Sequence, residues 1–188
     1  ARIIINPSAG RQFFQRNVAR IIEKLSREKV LREVSTMYTH GAGDAYEAAS
    51  RLRPGEVDFV LAVGGDGTVN EVVNGLIQSG AQIPLSILPA GTVNDFAYAM
   101  KLPRDVAPYC SMIREFRTVP IDVGKAGDQY FLNVAAGGML TDVAYKVPSE
   151  SKTVLGRMAY YIEGAVNLPS QIYRSIPFHV KAEGVDVC

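Results

Sequence analysis

Short apolar runs alternate along this chain with stretches whose apolar residues recur at helical spacing. Arg2–Ile5 reads as a strand, and the polar loop Asn6-Pro7-Ser8-Ala9-Gly10-Arg11 leaves it. Phe14, Val18, Ile21, Ile22 and Leu25 then fall on one face of a helix. Val34–Thr39 reads as a second strand ending in His40-Gly41-Ala42-Gly43; Asp44 is expected to cap a helix running to about Leu52, which Pro54-Gly55 breaks. Asp58-Phe59-Val60-Leu61-Ala62-Val63 is a buried strand that Gly64-Gly65-Asp66-Gly67 ends abruptly. Thr68-Val69-Asn70-Glu71 has the form of a capping box, and Val69, Val72, Val73, Leu76 and Ile77 give the helix after it one apolar face. Leu85–Leu88 is a further short strand, followed by Pro89-Ala90-Gly91-Thr92-Val93-Asn94-Asp95 and a helix through Phe96, Ala97 and Met100. Strand–helix alternation of this kind predicts an α/β fold with a doubly wound parallel sheet. Its strand exits share one edge, so Asn6, Thr39, the 64–70 loop and Thr92–Asp95 are expected on one rim, where such sheets bind ligands.

The pattern changes after Met100. A helix is expected to about Phe116, with Pro108 tolerated in its first turn. Val119–Lys125 and Tyr130–Ala136 flank Ala126-Gly127-Asp128-Gln129 as a β-hairpin. A helix around Leu155–Leu168 and a strand at Ile176–Val180 follow. The domain boundary is placed near Val119–Asp122: residues 1–120 are expected to form the α/β domain, and residues 121–188 to begin a β-rich second domain that stays incomplete.

Length and composition set limits around this pattern. The 188 residues allow one ordinary domain, or one and part of another, and 47% hydrophobic residues suffice for a substantial core. The chain opens on a strand with no initiator Met, so a trimmed chain or fragment is expected. No apolar run reaches the ~20 residues of a spanning helix, and no signal peptide is visible. Cys110 and Cys188 have no metal-ligand spacing and read as reduced thiols of a cytoplasmic protein. A net charge of +1 gives no sign of a nucleic-acid binder. Residues 1–32 nevertheless carry eight Lys/Arg against two Glu. Arg16, Arg20 and Lys24 lie at i, i+4 and i+8, a stripe that suits either a solvated outer face or anionic lipid headgroups.

The candidate chemistry sits in two strand-to-helix junctions. Glycines let the backbone approach a ligand, and unpaired N–H groups at a helix start suit a phosphate. Gly67-Thr-Val-Asn-Glu71 and Gly91-Thr-Val-Asn-Asp95 are nearly one pentapeptide used twice. Two turns seldom need the same five residues merely to fold, which marks both as parts of a site. No Walker A motif is present, and no Gly-x-Gly-x-x-Gly follows a strand.

Four motifs carry a resemblance. They are Asn6-Pro7-x-x-Gly10, Gly64-Gly65-Asp66-Gly67-Thr68-x-Asn70-Glu71, Pro89-x-Gly91-Thr92-x-Asn94-Asp95-Phe96 and Ile121-Asp122-Val123-Gly124. Together they resemble the diacylglycerol kinase catalytic domain family. The run from Ala135-Ala136-Gly137-Gly138 to Tyr160-Tyr161 looks like the soluble Gram-positive type. Gly-Gly-Asp-Gly alone is shared with NAD kinases and 6-phosphofructokinases.

The resemblance implies a nucleotide-binding α/β domain followed by a β-sandwich. ATP is expected on Asn6, Thr39, Gly64, Gly65, Asp66, Gly67, Thr68, Val69, Asn70 and Thr92. Mg²⁺ is expected on Asp66, directly or through water. Asp66, Asp95, Asp122 and Arg11 are the candidate catalytic residues. Asp95 also reads as a capping-box acid and Asp122 as the end of a hairpin. Tyr98 stands where the family commonly carries Arg, and the family's general base and structural Mg²⁺ site are expected beyond residue 188. The implied activity is transfer of the ATP γ-phosphate to a lipid hydroxyl, diacylglycerol to phosphatidic acid, by a cytoplasmic protein docked peripherally on its membrane substrate. Homodimer formation is left open. Two alternatives stand beside this: a kinase of a soluble acceptor such as NAD, and a nucleotide-binding module without turnover.

Overall fold

The computed structural model describes residues 1–9, 12–135, 180–182 and 185–187. The chain divides into two compact units, Ala1–Ala135 and Ala136–Cys188. In the first, β1 (Arg2–Ile5) leads through α1 (Gln12–Arg27) to β2 (Ser35–Tyr38), and α2 (Asp44–Ser50) leads to β3 (Val60–Gly64). Then come α3 (Asp66–Ser79), β4 (Leu85–Pro89), α4 (Asp95–Ala99) and α5 (Val106–Glu115), and a hairpin of β5 (Gly124–Ala126) and β6 (Gln129–Phe131). In the second unit the described residues are an antiparallel pair, β7 (Val180–Ala182) and β8 (Val185–Val187). The expected helix around Leu155–Leu168 lies outside the described residues.

The sheet order is β2-β1-β3-β4 and every pairing is parallel. Alternating residues along the central strands bury both faces, so each strand reads as an unbroken apolar run. Ile3, Ile5, Leu61, Val63 and Leu88 pack with Val18, Ile21 and Leu25 of α1 and with Tyr109, Cys110 and Ile113 of α5. On the other face Ile4, Val60, Ala62 and Ile87 pack with Ala45 and Ala49 of α2 and with Val69, Val72, Val73 and Leu76 of α3. From β1 the chain winds one way to β2 and the opposite way to β3 and β4. Right-handed crossovers running in opposite directions must put their helices on opposite faces. That leaves a switch point between β1 and β3, and the carboxyl ends of the strands at such a point are where open α/β sheets bind ligands.

Gly75 permits close packing of α2 on α3: a Cβ there would meet the Tyr46 carbonyl oxygen and, at 2.7 Å, the Ala49 Cβ.

Three details correct the sequence-based expectations. Asp44 does not cap α2. The N-cap is Gly43, and Asp44 Oδ2 reaches back to accept from the N–H groups of His40 (2.6 Å) and Gly41 (2.9 Å). Thr68 does not begin α3, which starts two residues earlier at Asp66 with Gly65 as N-cap. The capping box does not close because both its side chains are engaged elsewhere: Thr68 is 7% exposed and bonded to Asn6, and Glu71 bonds across to α2. The hairpin is also shorter than expected, turning tightly through Gly127-Asp128. It is held to α3 through Asn74, within the unit that runs to Ala135.

Candidate active site

Helix α3 begins directly at the exit of β3, beside the exit of β1. Asn6 N donates to Val63 O at 2.9 Å, and Thr39 N donates to Ile5 O at 2.9 Å. These bonds carry the sheet pairing one residue past the strand ends and bring Asn6 and Thr39 to the rim. Asn6 Nδ2 donates to Thr68 Oγ1 at 3.0 Å, while its Oδ1 accepts from Ser8 N at 3.0 Å. The loop after β1 is thereby fixed to the first turn of α3.

Gly65 has extended backbone, with φ −91° and ψ −174°. Its carbonyl accepts the first helical bond, from Val69 N at 3.1 Å. The N–H groups of Asp66, Gly67 and Thr68 are then the ones a helix start leaves over. Gly65 needs no left-handed conformation; a neighbour is what limits its side chain, since a Cβ there would lie 3.1 Å from the Gly91 Cα. The reverse contact is tighter. A Cβ on Gly91 would lie 2.5 Å from the Gly65 Cα, so the two glycine loops touch backbone to backbone.

The second loop is locked by Asn94, which is 4% exposed and adopts φ 57°, ψ 50°. Its Oδ1 accepts from Gly91 N at 2.8 Å and its Nδ2 donates to Gly91 O at 2.6 Å. Its own N–H donates to Asp66 Oδ2 at 2.9 Å. Asp66 is exposed, and among the described residues its bonded carboxylate oxygen is the one facing Asn94.

Further along α3, Glu71 Oε1 accepts from Gly43 N at 3.0 Å and Oε2 from Ala45 N at 3.2 Å, which gives α2 a carboxylate at its N-terminus from another helix. The Asp44 carboxylate beside it is held below the ordinary range, chiefly by the N–H groups of His40 and Gly41. Asn74, 7% exposed, donates from Nδ2 to Asn70 O (2.9 Å) and Tyr130 O (2.8 Å), and its Oδ1 accepts from Tyr130 N (2.8 Å). One helix thus holds four separate segments: Asp66 the β4 loop, Thr68 the β1 loop, Glu71 the β2 loop and Asn74 the hairpin.

Among the residues expected from sequence, Asn6, Thr39, Gly64, Gly65, Asp66, Gly67 and Thr68 are brought to the exits of β1, β2 and β3. Val69 is 5% exposed with its side chain in the core, so only its backbone faces the loop. Asn70 lies within the first two turns of α3, its carbonyl taken by Asn74. Thr92 is exposed on the β4 loop, and Asp95 is exposed as the first residue of α4. Asp122 is exposed just before β5, and no bond joins it to the α3 start. Arg11 lies outside the described residues. Tyr98 is 79% exposed.

Asn74 was not among the expected residues, and Gly91 and Asn94 were expected only as members of the second pentapeptide, with no role of their own. Asn94 had a signal: an Asn at a helix entry readily takes the left-handed conformation. So did Asn74, an amide that interrupts the buried face between Val73 and Leu76.

A glycine-rich helix start at the switch point of a parallel sheet, with an exposed carboxylate beside it, has the form of the phosphate sites of doubly wound α/β domains. The sequence profile of the diacylglycerol kinase catalytic domain matches residues 1–126. The chain belongs to that family. It is 45% identical to a diacylglycerol kinase of Bacillus subtilis over 171 residues, which cover 90% of this chain and 56% of that protein. It is 40% identical over 184 residues to a diacylglycerol kinase of Staphylococcus aureus, covering 98% and 57%. A crystal structure of a diacylglycerol kinase from Bacillus anthracis matches with a TM-score of 0.62 and 33% identity, over 70% of this chain and 45% of that one. The chain spans little more than half the length of the curated relatives it matches.

Proposed function

We propose that the protein is an ATP- and Mg²⁺-dependent lipid kinase that phosphorylates diacylglycerol to phosphatidic acid. The observation that carries this reading is the start of α3, with its leftover N–H groups, its exposed Asp66 and the second glycine loop pressed against it. Phosphoryl transfer depends mainly on positioning and on neutralising charge on the transferred group. Backbone N–H groups of Asp66, Gly67 and Thr68 receive phosphate oxygens, and Asn6, Thr39 and Thr92 border them. Among the described residues no cluster of three acidic, His or Cys side chains is placed to hold a metal. A single carboxylate fits Mg²⁺, which keeps several waters and takes its other oxygens from substrate phosphates. Asp66 would hold it, directly or through water, and Asp95 and Asp122 are the further acids of the site.

In the reaction the lipid hydroxyl oxygen bonds to the γ-phosphorus and the bond to the β–γ bridging oxygen breaks. ADP leaves, and the hydroxyl proton passes to a general base. No helix among the described residues is long and apolar enough to cross a membrane. In this reading the lipid is met by reversible docking at the membrane surface, which the exposed Arg16 and Arg20 of α1 favour electrostatically. The test supplies the full-length protein with radiolabelled ATP and diacylglycerol in mixed micelles, with NAD as competing acceptor. Labelled phosphatidic acid is the expected product. Label in NAD alone, or ATP binding without transfer, overturns the proposal.

A further inference from the structure

We propose that Asn74 is a positioning residue, whose clamp on the β5–β6 hairpin holds the segment carrying Asp122 at a fixed spacing from the phosphate-binding start of α3. The inference rests on the kinase reading above and on Asp122 acting at its site. Asp122 itself is in an exposed segment outside any helix or strand, two residues before β5. Its place depends on the hairpin, and a lone two-stranded hairpin is at best marginally stable in water.

The anchor is specific. Tyr130 pairs with Lys125 across the hairpin, yet both its N–H and its C=O are taken by the one side-chain amide of Asn74, each at 2.8 Å. The amide acts as a peptide group would and adds a rung on the outer side of β6. The third bond, Nδ2 to Asn70 O, fixes the amide's rotation against α3. Leu132 adds an apolar contact with the core on the α2–α3 face. No aliphatic side chain at position 74 reproduces this, because hydrophobic contact does not set strand register. A rigid helix therefore carries the phosphate loop at one end and the hairpin clamp two turns on, so the two are held at a fixed spacing. The clamp touches neither ATP nor lipid, and its function is geometric.

The experiment compares full-length wild type with Asn74→Ala, and with Val72→Ala as a control that weakens the same helix through the core alone. Hydrogen exchange is read at Tyr130 and the other amides of residues 124–131. In Asn74→Ala these are expected to exchange at least ~100-fold faster, with Val69–Val73 of α3 unchanged. The expected kinetic signature is a fall in kcat of at least ~10-fold, the KM for ATP staying within about twofold. At matched loss of melting temperature, Val72→Ala should retain kcat. Unchanged hairpin exchange overturns the proposal, as does an equal kcat loss in Val72→Ala or a retained kcat in Asn74→Ala. Asn74→Asp keeps the oxygen for Tyr130 N–H and loses both donors. Should the alanine variant fail to fold, it carries the same test, with a smaller loss expected in both readouts and wild-type values in both overturning the proposal. A wild type that makes no phosphatidic acid defeats the kinase reading instead, and the exchange data alone then decide whether Asn74 holds the hairpin.

Discussion

Gly67–Glu71 and Gly91–Asp95 share Gly-Thr-Val-Asn and end in an acid, yet they fold differently. The first lies wholly inside α3, occupying that helix from its second residue onward, with Thr68 and Val69 buried. The second is a loop whose Asn94 turns left-handed before the short helix α4 begins. Equivalent residues consequently do different work. The hydroxyl of Thr68 serves Asn6, whereas Thr92 is exposed. Asn70 contributes its carbonyl to its own helix, whereas Asn94 folds its amide back on Gly91.

The difference follows from what each segment has beneath it. Val69, Val72, Val73 and Leu76 give the first copy a long buried face, and packing on the sheet favours the helix through its entire length. The second copy precedes a helix of five residues with one buried side chain, Ala97, so local side-chain bonds win. Two copies of one string thus yield complementary halves of a site, one donating a helix start and the other a clasp. They meet at Gly65 and Gly91, and at Asp66 and Asn94.

Asp66 joins the two halves, and removing its charge is expected to have the largest effect. In the full-length protein Asp66→Asn should lower turnover by at least ~100-fold, about 2.7 kcal/mol of transition-state stabilisation. The melting temperature should change little, because an amide oxygen still accepts the Asn94 N–H. Near-normal turnover would make Asp66 a connector between loops and nothing more.

The glycines of the two copies should separate next. Gly91→Ala drives a Cβ into the Gly65 backbone and should cost about 2–3 kcal/mol in urea unfolding. Gly67→Ala meets nothing within 4 Å inside a helix and should be neutral or stabilising by up to about 1 kcal/mol. Equal losses at both positions would erase the distinction drawn between the copies.

The asparagines make a milder pair. Asn94→Ala loses two bonds to Gly91 and leaves an alanine in left-handed backbone, which should cost about 2 kcal/mol. Asn70→Ala leaves its helix carbonyl in place and should stay within about 0.5 kcal/mol of wild type. Thermal melts of the two variants, side by side, make the comparison.

The smallest effect concerns the loop after β2. The Asp44 carboxylate is held below its ordinary value by two N–H groups, so its contribution is present above the unfolded pKa and lost as pH falls through the lowered folded one. Amide exchange at His40 and Gly41, corrected for intrinsic pH dependence, should accelerate only at acid pH. Asp44→Asn should weaken that dependence.

Periodic features of the chain could be read directly. The strands at Arg2–Ile5 and Val60–Gly64, the faces of α1 and α3, and the parallel, doubly wound order all follow from which residues are apolar and how they are spaced. Burial acts on every such residue in the same way, so its pattern survives in the linear order. The rim was legible as well, because strand exits of a parallel sheet share an edge. The polar joins were not. Asn6 finds Thr68, Glu71 finds Gly43 and Ala45, and Asn74 finds Tyr130 only after α3 has docked with one particular rotation against the sheet. Each bond needs two groups to meet within a few tenths of an ångström and has no periodic trace. The same holds for the start of α3 and for the fold of the second pentapeptide. Short-range preference offered both copies the same options, and the surface beneath each chose between them.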